Sequence, residues 1–576
     1  MIVTTLLAVR VLHVASHEAE SRALLVFGGW VVVAEWRGWW RVRREGEGRW
    51  FWGARPRQGI QSGTHLGLLI LPWVLASRVR AEANTASSAS SLFWFWTSLA
   101  SGVFALAYAG FGGGGSDEGG GWRGVPLARA TAVALATSAA GASRVLEVQT
   151  GAAAASASSS AAALTILIAL HALVALLAAR GTMRTLPGAE TLAEALFTAQ
   201  GAVLCAGHAA AVAAHAVAPG AWEWLPVGAR GTRRGVQLAV AAAVLLACAL
   251  LSRIPGFCGS RSERDKYRPL HRSAAGAGAV AAGAALRRPS AWLIGYVWNQ
   301  PGLFRLAGYW GVTLGVSMVA IAKLSRRCPA GAKVAPISTV ILRKTYHLLA
   351  VAMFLPPSLP RDVLRGMLPP PELLALAYAI ALGLFAVAEV ARVSRATVWV
   401  PGVGTLAAGA ALQSFMSRFT DGRDAGESGI IISHFSLLLG LAVPLWVTRE
   451  AWDGEGTAGT VNMVGAGMMF SLSPFAGIIT LGLGDTAASV VGVTLGRHRL
   501  FDAWHKSVEG TLANACANVI GAALVWGVLH GEGSVPWGCV VTAGVGAAAL
   551  EAVTEQLDNA FLPLYFLALT QLTAAL

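Results

Sequence analysis

Apolar runs recur along the whole chain, separated by short polar stretches rich in arginine and glycine. Among them are Ala23 to Ala34, Ser91 to Phe111, Ala161 to Ala179, Gln237 to Leu251, Leu306 to Ala322, Leu373 to Val390 and Ile430 to Val447. Some reach membrane-spanning length, about 20 residues, and others form the cores of spans. The pattern predicts an all-α fold, a polytopic integral membrane bundle of roughly 13 to 16 transmembrane helices. Composition agrees: 13% of the 576 residues are charged and 55% are hydrophobic, against about 25% charged in a soluble domain. Mean hydropathy is +0.58.

The net charge of +14 would suggest nucleic acid in a soluble protein. Here the basic residues cluster between spans, at Arg37 to Arg57, Arg253 to Arg272 with Lys266, Arg287 with Arg288, and Lys323 to Lys333, and orientation across a membrane accounts for them. No nucleic-acid partner is expected. Trp36, Trp39, Trp40, Trp50 and Trp52 among those arginines fit an interfacial belt. Six cysteines without a CxxC pair point to neither zinc nor a disulfide framework. The first apolar run, split by Arg10, is read as an uncleaved insertion signal, and LTQLTAAL at the end carries no retrieval tetrapeptide.

Residues 1–289 read as a multi-span scaffold. Low-complexity stretches fill it, and His13, His171, His208 and His215 read as buried, hydrogen-bonded residues without a metal role. From 290 to 576 polar groups gather at the ends of apolar runs, in the texture expected of a catalytic region. Arg343, Lys344, Tyr346 and His347 open one helix, with Lys344 and His347 on one face; they are basic membrane anchors or phosphate and headgroup contacts. Glu389 and Arg392 form an i,i+3 ion pair or mark a substrate site. Asp421, Arg423 and Asp424 lie in a glycine-containing turn able to hold a metal ion and a phosphate, with His434 in the next span. At the end, Glu551 and Thr554 share a helix face that Asp558 continues, near Gln556 and Asn559.

The chain is organised around Leu481 to Thr511, where Gly482, Gly484, Gly492 and Gly496 surround Asp485. Glycines let backbone approach phosphates closely, and an aspartate at the end of an apolar helix asks for a compensating cation, such as a metal brought by a nucleotide. A glycine-rich helix contact with a capping aspartate would give the same letters. Thr486 and Ser489 follow; Lys506, Ser507, Glu509, Gly510 and Thr511 then add a cation and hydroxyls before another apolar run. Such a set suits phosphoryl transfer, which needs charge neutralisation and alignment more than covalent catalysis. Neither a Walker sequence nor the protein-kinase signature set occurs.

The ordered motifs RKTYHLLAV, AEVAR, FTDGRDAG, GLGDTAASVVGVTLG, HKSVEGT and EAVTEQLDNAFLPL, over about residues 334–576, resemble those of the dolichol kinase family. The resemblance implies transfer of phosphate from CTP to dolichol in the endoplasmic reticulum membrane, with the site facing the cytosol and the product feeding glycosylation. It implies CTP binding by Gly484, Asp485, Ser489, Gly492, Lys506, Glu509 and Gly510, and a divalent cation such as Mg²⁺. On that basis Asp485 is expected to hold the metal, Lys506 to meet phosphate oxygens, and Asp421, Asp424 and Asp558 to hold metal or orient the hydroxyl. Phytol kinases share the broader pattern, and an ion-coupled transporter would also carry intramembrane Glu389, Asp485 and Glu551.

Overall fold

The computed structural model describes residues 2–14, 17–45, 67–81, 88–111, 124–150, 158–185, 194–201, 303–326, 339–355, 371–393, 397–400, 404–416, 431–447, 470–500, 506–530, 535–554 and 558–574, with single positions 203, 207, 295, 298, 299 and 395. Five helices among them are long and apolar enough to cross a membrane, at Ala89–Ala107, Ser160–Gly181, Phe304–Lys323, Leu374–Val393 and Val508–Leu529. Shorter apolar helices include Phe435–Trp446, Ile478–Thr494 and Trp537–Val553. This is the architecture of a polytopic helical membrane protein. The expected span Gln237 to Leu251 lies outside the described residues.

Two compact units divide the chain, Met1–Ala241 with Gln571–Leu576, and Ala242–Thr570. The first contains α1 (Ile2–Val14), α2 (Glu18–Glu45), α3 (Gly67–Ala81), α4 (Ser88–Phe111), α5 (Gly124–Thr150) and α6 (Ser158–Thr185). Part of the basic stretch expected between spans lies on α2, which runs helical to Glu45. On α6 one face (Leu164, Ile168, Ala172, Ala175) is buried, while Ile166, Leu170, Leu173 and Leu177 are exposed. A helix apolar all round suits lipid on its outer face.

This unit also holds a polar cluster that the sequence reading missed. Glu20, fully buried, accepts from Arg144 Nε at 3.1 Å and Trp96 Nε1 at 3.2 Å on Oε1, and from Arg144 on Oε2 at 3.4 Å. The partners come from α2, α4 and α5 and lie far apart in sequence, so no local spacing betrays them. His171 Nδ1 donates to the Leu167 carbonyl at 2.7 Å, whereas His13 is exposed on α1, against expectation. His208 and His215 lie outside the described residues.

The second unit contains α7 (Leu303–Arg326), α8 (Thr339–Phe354) and α9 (Pro371–Val393). A two-stranded antiparallel hairpin follows, β1 (Val398–Val400) with β2 (Gly404–Leu406), a small addition to the expected all-helical fold. Next come α10 (Ala408–Met416) and α11 (Ile432–Val447), then a 3₁₀ turn Phe470–Phe475 and a π-helical stretch Ile478–Asp485. The unit closes with α12 (Thr486–Thr494), α13 (Val508–His530), α14 (Trp537–Val553) and α15 (Asp558–Ala574), whose last residues are counted with the first unit.

Side chains that return to carbonyls tie these helices together. Tyr309 and Trp310 of α7 donate to the carbonyls of Ala352 and Met353 on α8. Arg395, in the left-handed region at φ 51°, ends α9, and its N–H donates to the Arg392 carbonyl at 3.2 Å.

Candidate active site

Asp485 sits where the π-helical stretch gives way to α12, and it is only 3% exposed. Lys344 Nζ, from α8, donates to its Oδ2. His347 Nδ1, one turn along α8, lies 3.3 Å from the same Oδ2 and 3.1 Å from the Leu481 carbonyl. Because a carbonyl only accepts, His347 Nδ1 carries the proton. The expected shared face of Lys344 and His347 is therefore aimed at Asp485, a pairing that spacing alone did not reveal. A buried carboxylate is costly without a partner, and the Lys344 ammonium is its counter-ion. Among the described residues both contacts fall on Oδ2, which leaves Oδ1 as the oxygen for a further ligand. Arg343 is half-buried on the same helix, and Tyr346 packs instead against the cluster of Ile321 and Leu342.

The glycines act first as a helix seam. A Cβ on Gly484 would collide with the side-chain oxygens of Asn514 and Asn518 on α13, and one on Gly482 would collide with Val351 on α8. One on Gly510 would stand 2.8 Å from the Ala488 carbonyl and 3.3 Å from Gly492 Cα. Gly484, Ala488 and Gly492 thus form a small-residue stripe that lets α13 approach backbone to backbone. In this structure the space in front of Gly484, Gly492 and Gly510 is filled by protein.

The motif Lys506 to Thr511 leads into α13 and forms its first turn. Ser507 Oγ accepts the Gly510 N–H at 3.1 Å, an N-cap, and the Thr511 hydroxyl donates to the Ser507 carbonyl at 3.1 Å. Glu509 Oε1 accepts from His498 Nδ1 at 2.6 Å, and its carboxylate also faces the His498 N–H. An Arg499–Ser507 bridge and the Leu500 N–H on the Lys506 carbonyl at 3.1 Å tie the residues after α12 to those that lead into α13. Arg497, His498 and Arg499, which the sequence reading left out, are exposed there.

Lys506 reaches α14. Its ammonium donates to Glu551 Oε1 at 2.7 Å, to the Thr554 carbonyl at 3.2 Å and to the Glu551 carbonyl. A lysine at a helix C-terminus satisfies its last carbonyls and the negative end of its dipole. That explains a departure from expectation: α14 stops at Val553, Thr554 is extended at φ −112° and ψ 140°, and a new helix begins at Asp558. Glu551, Thr554 and Asp558 therefore do not line one helix face.

Glu389 is tied up within the protein. Arg392 donates to it through Nε at 2.8 Å and through a second nitrogen at 2.5 Å, and the Ile431 N–H adds a bond of 2.8 Å. Arg392 also contacts Gln413, so the pair joins α9, α10 and the approach to α11. Asn559 Nδ2 donates to the Ser436 hydroxyl at 3.4 Å, fastening α15 to α11. Thr486 Oγ1 donates to the Leu481 carbonyl at 3.3 Å, and Ser489 is half-buried on α12. Asp421, Arg423, Asp424 and Gln556 lie outside the described residues, as do the side chains of His434 and Asp558.

Among the described residues no group of three or more His, Cys, Asp or Glu is placed to hold a metal ion. Mg²⁺ commonly binds through one or two carboxylates together with substrate phosphates. The unspent oxygen of Asp485 fits an ion that arrives with phosphate, and not one caged by protein alone.

Comparison with known proteins points the same way for part of the chain. It is 34% identical over 287 residues to dolichol kinase EVAN of Arabidopsis thaliana, covering 49% of this chain and 43% of that protein. Over that stretch the chain resembles the dolichol kinases. It is 31% identical over 291 residues to human dolichol kinase, covering 49% and 47%, and 27% identical over 288 residues to dolichol kinase sec59 of Schizosaccharomyces pombe, covering 49% and 50%. The chain spans about half the length of the curated relatives it matches. No family model and no solved structure matches it.

Proposed function

We propose that this protein is a lipid-alcohol kinase that transfers the γ-phosphoryl group of CTP to the hydroxyl of dolichol. The observation that carries the reading is Asp485: a buried carboxylate in a membrane bundle, with one oxygen held by Lys344 and His347 and the other unspent. The names of the relatives supply the acceptor; CTP, the endoplasmic reticulum and a role in glycosylation rest on the resemblance of the motifs.

In the reaction the dolichol oxygen bonds to the γ-phosphorus as the bond from phosphorus to the bridging β-oxygen breaks. CDP departs and the hydroxyl proton passes to solvent. A divalent ion, when bound, neutralises phosphate oxygens. Asp485 offers Oδ1 to it, and Lys344 keeps that carboxylate ionised and supplies positive charge beside the transferring group. His347 fixes the carboxylate from the Leu481 side. Lys506, leaving Glu551, takes a phosphate oxygen, and Asp421 and Asp424 would hold metal or orient the acceptor. The apolar spans hold the acceptor's chain, so a hydroxyl at headgroup depth meets the site without desolvating the lipid.

Purified protein in detergent, with Mg²⁺ and CTP or ATP labelled at the γ-phosphate, is offered dolichol or phytol. Label on dolichol from CTP is expected. Label on phytol alone moves the acceptor class, and no transfer from either donor overturns the kinase reading.

A further inference from the structure

Behind Gly484 lies a buried carboxamide pair that no motif includes. Asn514 and Asn518, each 1% exposed, occupy successive turns of α13. Asn518 Nδ2 donates to Asn514 Oδ1 at 2.7 Å and to the Gly544 carbonyl of α14 at 3.3 Å. Asn514 Nδ2 and Asn518 Oδ1 are buried without a hydrogen-bond partner. Both side-chain oxygens press on Gly484: a Cβ there would stand 2.6 Å from Asn514 Oδ1 and closer still to Asn518 Oδ1.

A buried amide pair with a donor and an acceptor unspent is a poor way to fill a helix interface. Two leucines, branched at the same carbon, would fill it without unsatisfied groups. Local choices that weaken packing concentrate where function demands them. This one touches the residue before Asp485, at the end of a π-helical stretch, and π segments are themselves frequent at functional sites.

We propose that Asn514 and Asn518 are positioning residues that hold the π-helical register ending at Asp485. Their oxygens fill the space that a side chain on Gly484 would need, so only glycine lets α13 come this close. α13 thereby holds Gly484 from one side while Lys344 and His347 of α8 hold Asp485 from the other. If the stretch relaxed to α-helical register, the one-residue shift would turn Asp485 by about 100° around the axis and away from Lys344. The pair therefore decides where the carboxylate points without touching a substrate. The consequence for turnover rests on the kinase reading; the positional claim does not.

The test uses the full chain with Asn514→Leu and Asn518→Leu together, Lys344→Met, and all three changes combined. Thermal unfolding of the four proteins closes a double-mutant cycle. In the natural chain Lys344→Met strands a buried carboxylate and should lower the melting temperature clearly. In the double-leucine background, where Asp485 has already left Lys344, it should have much less effect. Phosphate transfer from CTP to dolichol gives the second readout. The double-leucine protein should still fold, lose roughly 10- to 100-fold in kcat, as expected for a misplaced group, and keep its KM for CTP within about threefold. Asn514→Ser with Asn518→Gln, which retains polar oxygens, should recover part of kcat. An additive cycle overturns the positional claim whatever the activity. Unchanged kcat in a folded double-leucine protein overturns it as well. A natural chain that transfers no phosphate overturns the kinase reading instead, and the cycle still decides the register.

Discussion

Two buried carboxylates, one in each unit, show how differently the same group can be used. Glu20 is saturated: Arg144 and Trp96 share one oxygen, and Arg144 reaches the other. Asp485 concentrates Lys344 and His347 on a single oxygen. Both are buried and both have a cation, so neither burial nor pairing separates structure from chemistry. Under the proposed reaction, the spare oxygen does. Glu389, with Arg392 on both oxygens and the Ile431 N–H besides, belongs with Glu20.

The comparison breaks first on a pair of isosteric changes. Asp485→Asn should lower phosphate transfer by about 100-fold or more, the order expected when a charge-stabilising group is lost, while the protein still inserts. Glu20→Gln should leave turnover per folded molecule unchanged and cost about 2 kcal/mol of stability, because it weakens the charge-assisted bonds from Arg144, which keeps Glu147 as a partner. Transfer assays normalised to folded protein check both, and a turnover defect in Glu20→Gln would erase the distinction.

Lys506 sharpens it next, since this lysine caps α14 in the structure yet is assigned to phosphate in the reaction. Lys506→Met should raise KM for CTP about tenfold, a loss of about 1.4 kcal/mol in binding. A lower melting temperature with unchanged KM would leave it a cap alone. Gly484→Ala tests the seam: it should abolish transfer or folding, because a methyl there meets both asparagine oxygens. The smallest effect expected is Ser507→Ala, which removes the N-cap of α13 and should cost about 1 kcal/mol by thermal unfolding, with KM little changed.

Much of the second unit was legible along the chain. The i,i+3 spacing of Lys344 with His347 and of Glu389 with Arg392 predicted shared faces, and both faces are used. The glycine pattern predicted close approach, but the approaching group in this structure is another helix. The continuous polar face from Glu551 to Asp558 failed because a lysine distant in sequence ends the helix at Val553. The π-helical stretch left no mark in the sequence pattern.

By itself the sequence determined the membrane class, the helical elements and the residue types at the site, because hydropathy and helix periodicity are local properties. Only the tertiary structure decided which charges meet. Lys344 finds Asp485, Lys506 finds Glu551, and Arg144 finds Glu20 across stretches whose apolar composition carries no register. Partner choice between helices is set by side-chain reach and close packing in three dimensions, and that information is spread over the whole bundle.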